Sequence, residues 1–363
     1  MSIAAEASVA AEHGGDGVRR RPRVVALGGG HGLFAALSAL RSLDIEITAI
    51  VTVADDGGSS GRIRRELGVL PPGDLRMALA ALASSSLDPA DTTWHELLQH
   101  RLGGTGALAG HPIGNLLLTG LMELHAEPVR ALDQLGRLVG ARGRVLPMSV
   151  GPLDLIAEVD SVDLDDPVQR RRIRGQSAIA STAGRVTSIE LIPPDPPACP
   201  EAVAAILDAD AVILGPGSWF TSVIPHLLVP GLASALTLTS GRRVVILNLV
   251  QQAGETEGFS PEQHLRALRD NCPRLTMDVV IADNGAVLDP RGLQQYTEAA
   301  GARLLLAPVA AVGATARHDP GKLSLAVAAA LGLPSSNEHG DAGHADVRHR
   351  DATPRRGTGQ GVH

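Results

Sequence analysis

The sequence predicts an α/β protein built on a largely parallel sheet. Short apolar runs alternate along the chain with stretches of helical spacing, and this alternation is typical of strand–helix–strand units. Two of the apolar runs end in glycine-rich turns, at residues 28–32 and 215–217. Such turns connect strand to helix in doubly wound folds, so they support the same prediction.

Each predicted element rests on a local pattern. The predicted strands are short runs of apolar or β-branched residues, at 23–27, 45–53, 211–214, 244–249, 279–282 and 304–307. The predicted helices carry apolar residues at helical spacing, at 33–43, 74–83, 116–124 and 323–331. We interpret Asp74 as the residue that caps the second of these helices.

Length and composition fit one folded domain over residues 22–334 with a polar tail at each end. The chain has 363 residues, of which 44% are hydrophobic and 20% are charged, and this composition is typical of globular proteins. Residues 1–21 lack periodicity, and residues 335–363 contain almost no large apolar side chains. We therefore expect both tails to be disordered.

Charge and composition argue against several classes of protein. A net charge of −7 and an aromatic content of 2% disfavour a nucleic-acid-binding surface built on basic patches or base stacking. The sequence contains no apolar run long enough to span a membrane. Its two cysteines are too few for a disulfide framework or a cysteine-rich zinc site. We therefore expect a cytoplasmic protein.

The first candidate binding element is the turn formed by Gly28, Gly29, Gly30, His31 and Gly32. Glycines let the backbone approach a phosphate, and the following helix adds N–H donors at its N-terminus. The dinucleotide spacing G-x-G-x-x-G is not met, because a leucine occupies the last glycine position. A tight structural turn is the alternative, but the strand–helix context favours ligand binding.

The second candidate element is a long polar run directly after the second predicted strand. It comprises Asp55, Asp56, Gly57, Gly58, Ser59, Ser60 and Arg62. Carboxylates at the carboxyl end of a strand suit a ribose hydroxyl or a Mg²⁺ ion. A glycine–serine backbone beside an arginine suits a phosphate. A surface turn that caps the next helix is the alternative, and the length of the run favours a binding role.

Further polar groups follow other predicted elements. Asn115 begins an apolar helix four residues after His111; Asn115 suits a base, sugar or phosphate, whereas an isolated histidine there is more typical of a buried structural group. Asn248 stands at another strand end. A second glycine turn offers Gly215, Gly217, Ser218, Thr221 and Ser222. Two such turns at strand ends favour a cleft with two anion sites.

A joint pattern of segments resembles the gluconeogenesis factor (YvcK-like) family, a relative of the CofD-like 2-phospho-L-lactate transferases. In order, the segments are GGGHG, TAIVTVADDGGSSGRIR, LPPGDLR, GHPIGNLL, GPGSWFTS and NLVQQAGET. The resemblance covers about residues 22–330. It implies a Rossmann-like, three-layer α/β/α core of the CofD type. It also implies binding of UDP-N-acetylglucosamine or UDP-glucose, and regulation of cell shape and cell-wall synthesis during gluconeogenic growth, in concert with cell-wall synthesis proteins.

The resemblance also assigns roles to individual residues. The two glycine turns match phosphate loops, and Asp55 and Asp56 match paired aspartates that hold a metal in the transferases. Tyr296 and Arg317 are the best matches to a tyrosine and an arginine that contact the nucleotide sugar. The chain departs from the family pattern at four positions: His31 replaces a threonine, and His226, Gln176 and Asp283 replace asparagine, glutamate and asparagine.

These observations leave more than one function open. We predict first a regulatory binder of a UDP-sugar, with no catalytic residue and no required cofactor. The alternative is a Mg²⁺-dependent transferase that moves a phospholactyl group from a nucleotide-activated donor, with Asp55 and Asp56 holding the metal. A nicotinamide-dinucleotide oxidoreductase ranks below both, because the glycine spacing that it needs is broken. A homodimer is common among folds of this class.

Overall fold

A computed structural model describes residues 20–84, 93–160, 170–182, 184–252 and 254–334. Of the two tails predicted to be disordered, residues 1–19 and 335–363 therefore lie outside the described residues. Arg20 and Arg21, which we assigned to the first tail, form ion pairs of 2.7 Å with Asp210 and Asp44. These two arginines belong to the folded part of the chain.

The described residues form twelve strands and twelve α-helices. The strands are β1 Arg23–Gly28, β2 Glu46–Val51, β3 Arg144–Pro147, β4 Asp154–Asp160, β5 Arg170–Arg174, β6 Arg185–Ile192, β7 Ala211–Leu214, β8 Arg242–Ile246, β9 Val279–Asp283, β10 Arg303–Ala307, β11 Ala310–Ala311 and β12 Ala314–His318. The helices are α1 Gly30–Leu40, α2 Gly58–Leu67, α3 Pro72–Leu82, α4 Trp94–Gln99, α5 Ile113–His125, α6 Pro128–Leu138, α7 Gln176–Ala180, α8 Pro200–Leu207, α9 Pro230–Leu238, α10 Pro261–Asn271, α11 Pro290–Ala299 and α12 Pro320–Leu331.

Seven parallel strands form the central sheet, in the order β10-β9-β8-β7-β1-β2-β3. Helix α1 contacts both α3 and α12 in one layer, whereas α8 contacts α9 in the other. Because helices cover the sheet on both faces, the central strands are apolar along their whole length. Residues 24–27 of β1 are at most 2% exposed. The predicted α/β fold with a mostly parallel sheet is confirmed.

Two smaller sheets were not predicted. Strands β5, β4 and β6 form an antiparallel sheet, and β11 and β12 form a hairpin. Strand β5 reads RRRIR and is largely exposed, so it lacks the apolar pattern that reveals a buried strand. Strand β3, at one edge of the central sheet, reads RVLP and begins with an exposed arginine, so it lacks the continuous apolar run that predicted β7, a strand of the same length.

The predicted helices also lie where the pattern placed them, with shifted ends. Helix α3 begins at Pro72 and its N-cap is Pro71, so the interpretation of Asp74 as the cap is wrong. Asp74 lies inside the first turn and is 9% exposed. In contrast, α12 is capped by a side chain that was not predicted, because Asp319 accepts a hydrogen bond from the amide of Lys322 at 2.9 Å.

Within the described residues, no single helix is both long and apolar enough to cross a membrane. The segments Trp219–Leu228 and Pro230–Leu238 meet the length and composition criteria only as a pair, and this pair is bent by 81°.

Candidate functional site

The carboxyl ends of β1 and β7 lie side by side at the point where the strand order changes direction. From β1 the sheet continues to β2 and β3, and from β7 it continues to β8, β9 and β10. Ligands of doubly wound folds bind at such a point. Here the turn after β1 opens α1, and the turn after β7 opens a π-helical turn at Trp219–Val223.

The two glycine turns contact each other through their backbones. A Cβ atom at Gly32 would lie 2.2 Å from the carbonyl oxygen of Pro216 and 2.3 Å from the Cα atom of Gly217. Only glycine at position 32 permits this contact. Gly30 and Gly217 adopt φ angles of +54° and +140°, which favour glycine as well. The structure therefore brings the two predicted phosphate turns into one cleft.

Two amide side chains hold the second turn in place. Asn248 accepts a hydrogen bond from the amide of Gly217 at 2.9 Å and donates to the carbonyl oxygen of Gly217 at 2.8 Å. Gln252 donates to the hydroxyl of Ser218 at 3.1 Å. These bonds hold the turn in its conformation, and they already use the amide of Gly217 as a donor.

A buried carboxylate supports the π-helical turn from behind. Glu255 is 2% exposed and accepts hydrogen bonds from the amide of Phe220 at 3.1 Å and the hydroxyl of Thr221 at 2.7 Å. Burial raises the pKa of Glu255. The Thr221 hydroxyl therefore stabilises the loop in this structure. Ser222 is also buried, and a Cβ atom at Gly29 would lie 3.3 Å from its Oγ.

A cavity of about 680 Å³ opens above the two glycine turns. His31, Gly32 and Gly217 line its floor, and Asn248, Arg317 and His318 line it from neighbouring elements. His318 has a buried Nε2 without a hydrogen-bond partner, and burial lowers its pKa. The cavity thus sets a guanidinium and two imidazoles in a lining that is otherwise largely apolar, which is typical of small-molecule sites with a few polar groups.

The β11–β12 hairpin brings Arg317 and His318 to this cavity. Asp283 holds the hairpin, because its Oδ2 accepts hydrogen bonds from the amides of Val309 at 2.8 Å and Ala310 at 2.9 Å. Tyr296 lies elsewhere: it packs against the core from α11 and does not line the cavity. Of the two C-terminal residues assigned by resemblance, only Arg317 is at this cavity.

The polar run after β2 folds as a turn and the first turn of α2. Asp55 accepts a hydrogen bond from the amide of Gly57 at 2.9 Å and one from the side chain of Ser60. Gly57 is the N-cap of α2, and Gly58, its first residue, has a φ angle of +45°. This geometry fixes the Asp55 carboxylate toward the start of α3.

Asp74 is buried beside the first glycine turn, Asp55 is half-buried, and the charge of Asp55 acts on Asp74. Burial, and then the negative charge of Asp55, raise the pKa of Asp74 to about 7. Burial also raises the pKa of Asp55. The Oδ2 atom of Asp74 has no hydrogen-bond partner, and a Cβ atom at Gly29 would lie 2.5 Å from it. Sequence reasoning missed Asp74 as a site residue, although the segment LPPGDLR belongs to the family resemblance.

The structure places Asp56 differently from Asp55. Its Oδ1 accepts a hydrogen bond from the amide of Ser177 in α7 at 2.9 Å, so Asp56 joins the β2 turn to the small antiparallel sheet. The described residues contain no group of three or more histidine, cysteine, aspartate or glutamate side chains that could hold a metal. Asp55 and Asp74 supply two oxygen ligands that fit Mg²⁺, which keeps several of its waters.

A second network links the polar run to α5. The hydroxyl of Ser59 lies 2.7 Å from Nδ1 of His111, and Asn115 donates to the same hydroxyl at 2.9 Å. His111 and Asn115 are 7% and 1% exposed, so the structural interpretation of His111 fits the structure. The Oδ1 atom of Asn115 is buried without a partner.

Two departures from the family pattern, His226 and Gln176, do not line the cavity above the glycine turns. His226 is fully buried, and its Nε2 lies 3.1 Å from the carbonyl oxygen of Ile50 in β2; burial lowers its pKa to about 4. Gln176 is the first residue of α7, and its Oε1 is buried without a partner.

Comparison with known proteins agrees with the fold and the turns. A family model described as 2-phospho-L-lactate transferase CofD matches residues 24–312. A gluconeogenesis factor of Mycobacterium tuberculosis is 58% identical over 304 residues, which cover 83% of this chain and 88% of that protein. The gluconeogenesis factor of Halalkalibacterium halodurans is 37% identical over 270 residues, covering 74% of this chain and 80% of that one.

A solved structure is similar as well. The crystal structure of a UPF0052 family protein from Bacillus halodurans superposes with a TM-score of 0.74 at 33% identity, and the match covers 85% of this chain and 99% of that one. The extent of these matches, together with the paired glycine turns at the strand crossover, shows that the chain belongs to the CofD family and is a homologue of the gluconeogenesis factors.

Proposed function

We propose that this protein binds a UDP-activated sugar, UDP-N-acetylglucosamine or UDP-glucose, in the cleft between its two glycine turns. The observation that carries the proposal is the backbone contact between Gly32 and Gly217 beneath a cavity of about 680 Å³. Gly32 and Gly217, which present only backbone atoms, line the space where a diphosphate would lie. The helix α1 begins there, and a helix N-terminus favours negative charge.

Two side chains around the cavity fit the diphosphate of such a ligand. Arg317 and His31 can pair with phosphate oxygens. Asn248 and Gln252 are already bonded to the second turn, so they act as supports for its amides. The role of the bound protein would be regulatory, in cell shape and cell-wall synthesis during gluconeogenic growth, as the resemblance to gluconeogenesis factors implies.

Tryptophan fluorescence offers a direct test of ligand binding. Trp219 lies in the second turn, is fully buried, and donates from its indole to the carbonyl oxygen of His264 at 2.8 Å. We expect UDP-N-acetylglucosamine to change its emission saturably. Arg317→Ala should weaken binding about tenfold or more, which is the loss of one charge-assisted hydrogen bond. Arg303→Ala, at an exposed position of β10, is the matched control. Equal affinities for the two variants would contradict the proposed site.

The alternative function, a Mg²⁺-dependent transferase, is favoured by one observation. The pair Asp55–Asp74 includes a buried carboxylate oxygen without a partner, and such a pair is costly unless a cation neutralises it. These two residues would hold the metal, which would neutralise charge on a transferring phospholactyl group. The structure favours this pair over Asp55 with Asp56, because Asp56 bonds to the amide of Ser177.

Electron paramagnetic resonance with Mn²⁺ separates the two metal assignments. Asp74→Asn should lower Mn²⁺ affinity by tenfold or more, whereas Asp56→Asn should leave it nearly unchanged. Incubation with a guanosine-activated phospholactate and a deazaflavin acceptor should release nucleoside monophosphate if the protein is a transferase. Mn²⁺ binding that depends on Asp56 and not on Asp74 would contradict the assignment.

We further propose that the protein acts with cell-wall synthesis proteins and forms a homodimer. Light scattering on the full chain measures the mass in solution. A monomer at all concentrations tested would rule out the homodimer.

A further inference from the structure

Three arginines converge on the start of α5, away from the glycine turns. Residues 100–102 and 110–113 run antiparallel, joined by hydrogen bonds from the amide of Leu102 to the carbonyl oxygen of His111 at 3.0 Å and from Ile113 to His100 at 2.9 Å. This pairing places the end of α4 beside the first turn of α5. None of the three arginines lines the cavity above the glycine turns.

Arg62 and Arg101 donate to successive carbonyl oxygens of one loop. Arg62 bonds to Ala109 at 3.0 Å, and Arg101 bonds to Gly110 at 2.9 Å. Their guanidinium groups therefore lie close together just before His111. Both positive charges act on that imidazole, and together with burial, which is the larger cause, they lower its pKa.

Arg76 approaches the same helix from α3. Its side chain lies against Gly114, where a Cβ atom would be 2.8 Å from the Arg76 Cγ, and one guanidinium nitrogen bonds to Gln99. Arg76 is 5% exposed, and its Nε is buried without a hydrogen-bond partner. The charge of Arg101 also acts on Arg76, so the three guanidinium groups belong to one cluster.

The cluster lacks an anionic partner in direct contact. Among the described residues, none of the three guanidinium groups forms an ion pair within 4 Å of a carboxylate, although many other arginines do, Arg64 with Asp154 among them. The start of α5 has no side-chain cap, and the amide of Ile113 already donates to His100, so the helix adds the positive end of its dipole. The charges of Asp74 and Asp55 act on Arg76 without touching it, and clustered positive charges with no carboxylate in contact favour a bound anion.

We propose that Arg62, Arg76 and Arg101 with the start of α5 form a second anion site, which takes the phosphate group of a phosphorylated small molecule. Guanidinium groups donate several hydrogen bonds in a fixed plane and match phosphate oxygens. The site lies beside the Asp55–Asp74 pair, whose charges also act on Arg76. A phosphate there would lie next to the cleft, where a second molecule can meet a nucleotide sugar. The proposal does not depend on which nucleotide sugar the cleft binds.

Isothermal titration of the full chain with inorganic phosphate tests this site. We expect saturable binding that Arg62→Gln and Arg101→Gln each weaken about tenfold. Arg130→Gln, at a 70% exposed side chain on α6, is the matched control and should bind as the wild type does. Thermal melting of each variant checks that it is folded; Arg101 is exposed, so its replacement leaves the fold intact.

The outcomes separate this proposal from binding in the glycine cleft. Phosphate binding should persist in Arg317→Ala and should be unchanged by an excess of UDP-N-acetylglucosamine. Absence of phosphate binding, or binding that Arg62→Gln and Arg101→Gln leave unchanged, would overturn the second site. Loss of phosphate binding in Arg317→Ala, or equal binding of acetate, would overturn it too. Failure of the UDP-sugar to bind would instead count against the proposed function alone.

Discussion

Replacement of Asp74 by asparagine is expected to stabilise the protein at alkaline pH and to destabilise it at acid pH. Burial and the neighbouring charge of Asp55 raise the pKa of Asp74 from 3.8 to about 7 in the folded protein. The folded state therefore holds this proton more tightly than the unfolded state does. Its contribution to stability is complete below pH 3.8 and is lost as the pH rises through about 7.

The magnitude follows from the gap between the two pKa values. At about 1.36 kcal/mol per pH unit, the gap between 3.8 and about 7 corresponds to a cost of about 4 kcal/mol at pH 8 for the ionised side chain. Asparagine carries no charge and avoids that cost. Its side-chain amide nitrogen would replace Oδ2, which has no hydrogen-bond partner, and leaving that buried nitrogen unpaired costs about 1–3 kcal/mol. The net gain for Asp74→Asn is about 1–3 kcal/mol at pH 8, and at pH 4 the variant loses about 1–3 kcal/mol.

Urea unfolding followed by tryptophan fluorescence measures this difference. Wild type and Asp74→Asn are compared at pH 4, 6 and 8 in EDTA, so that no divalent cation offsets the buried charge. Addition of Mg²⁺ at pH 8 should stabilise the wild type and not the variant. A stability difference that is the same at pH 4 and pH 8 would refute the reasoning, because the cost would then be unrelated to the charge of Asp74.

Two further substitutions test the cleft and its hairpin. Gly32→Ala should lower the melting temperature by several degrees, because its Cβ would meet Pro216 at 2.2 Å and overpacking costs about 1–3 kcal/mol. Gly32→Ala should also weaken UDP-sugar binding. The control is Gly120→Ala in α5, where a Cβ atom has open space; it should change neither the melting temperature nor the binding. Equal melting temperatures of the two variants would contradict the contact between the turns. Asp283→Ala removes the acceptor of the Val309 and Ala310 amides, so it should destabilise the protein by about 2–3 kcal/mol. Hydrogen exchange should then quicken in the β11–β12 hairpin, and unchanged protection there would contradict the role of Asp283.

Buried elements were predictable from the sequence because burial leaves a pattern. Strands β1 and β7 are short apolar runs that end in glycines, and covered parallel strands need that composition. The turns after them were predicted from the glycines that end these runs. Strand β5 was not predicted, since its arginines face solvent and pair with acidic residues of the same sheet, as Arg172 does with Glu190 of β6 at 2.7 Å. A strand that is exposed and held by ion pairs shows no periodic pattern of apolar residues from which it could be predicted.

The site was predictable where its residues are contiguous and less so where they are not. The runs 28–32, 55–62 and 215–222 each carry their own signal of glycines, carboxylates and hydroxyls. Asp74 joins Asp55 only through the packing of α3 against α1 and the turns, so a local pattern predicted a helix cap. Arg317 and Tyr296 illustrate the same limit: the family resemblance suggested both, and only the fold shows that, of the two, Arg317 alone lines the cavity.

The most direct test of the central claim is calorimetric titration of the wild-type chain with UDP-N-acetylglucosamine, beside GDP and NAD, with and without Mg²⁺. A ligand held in the cleft between the two glycine turns should give saturable binding of the UDP-sugar, with or without the metal. GDP and NAD should bind more weakly or not at all. Absence of UDP-sugar binding, or Mg²⁺-dependent binding of GDP alone, would contradict a UDP-sugar binder, and the second result would favour the transferase.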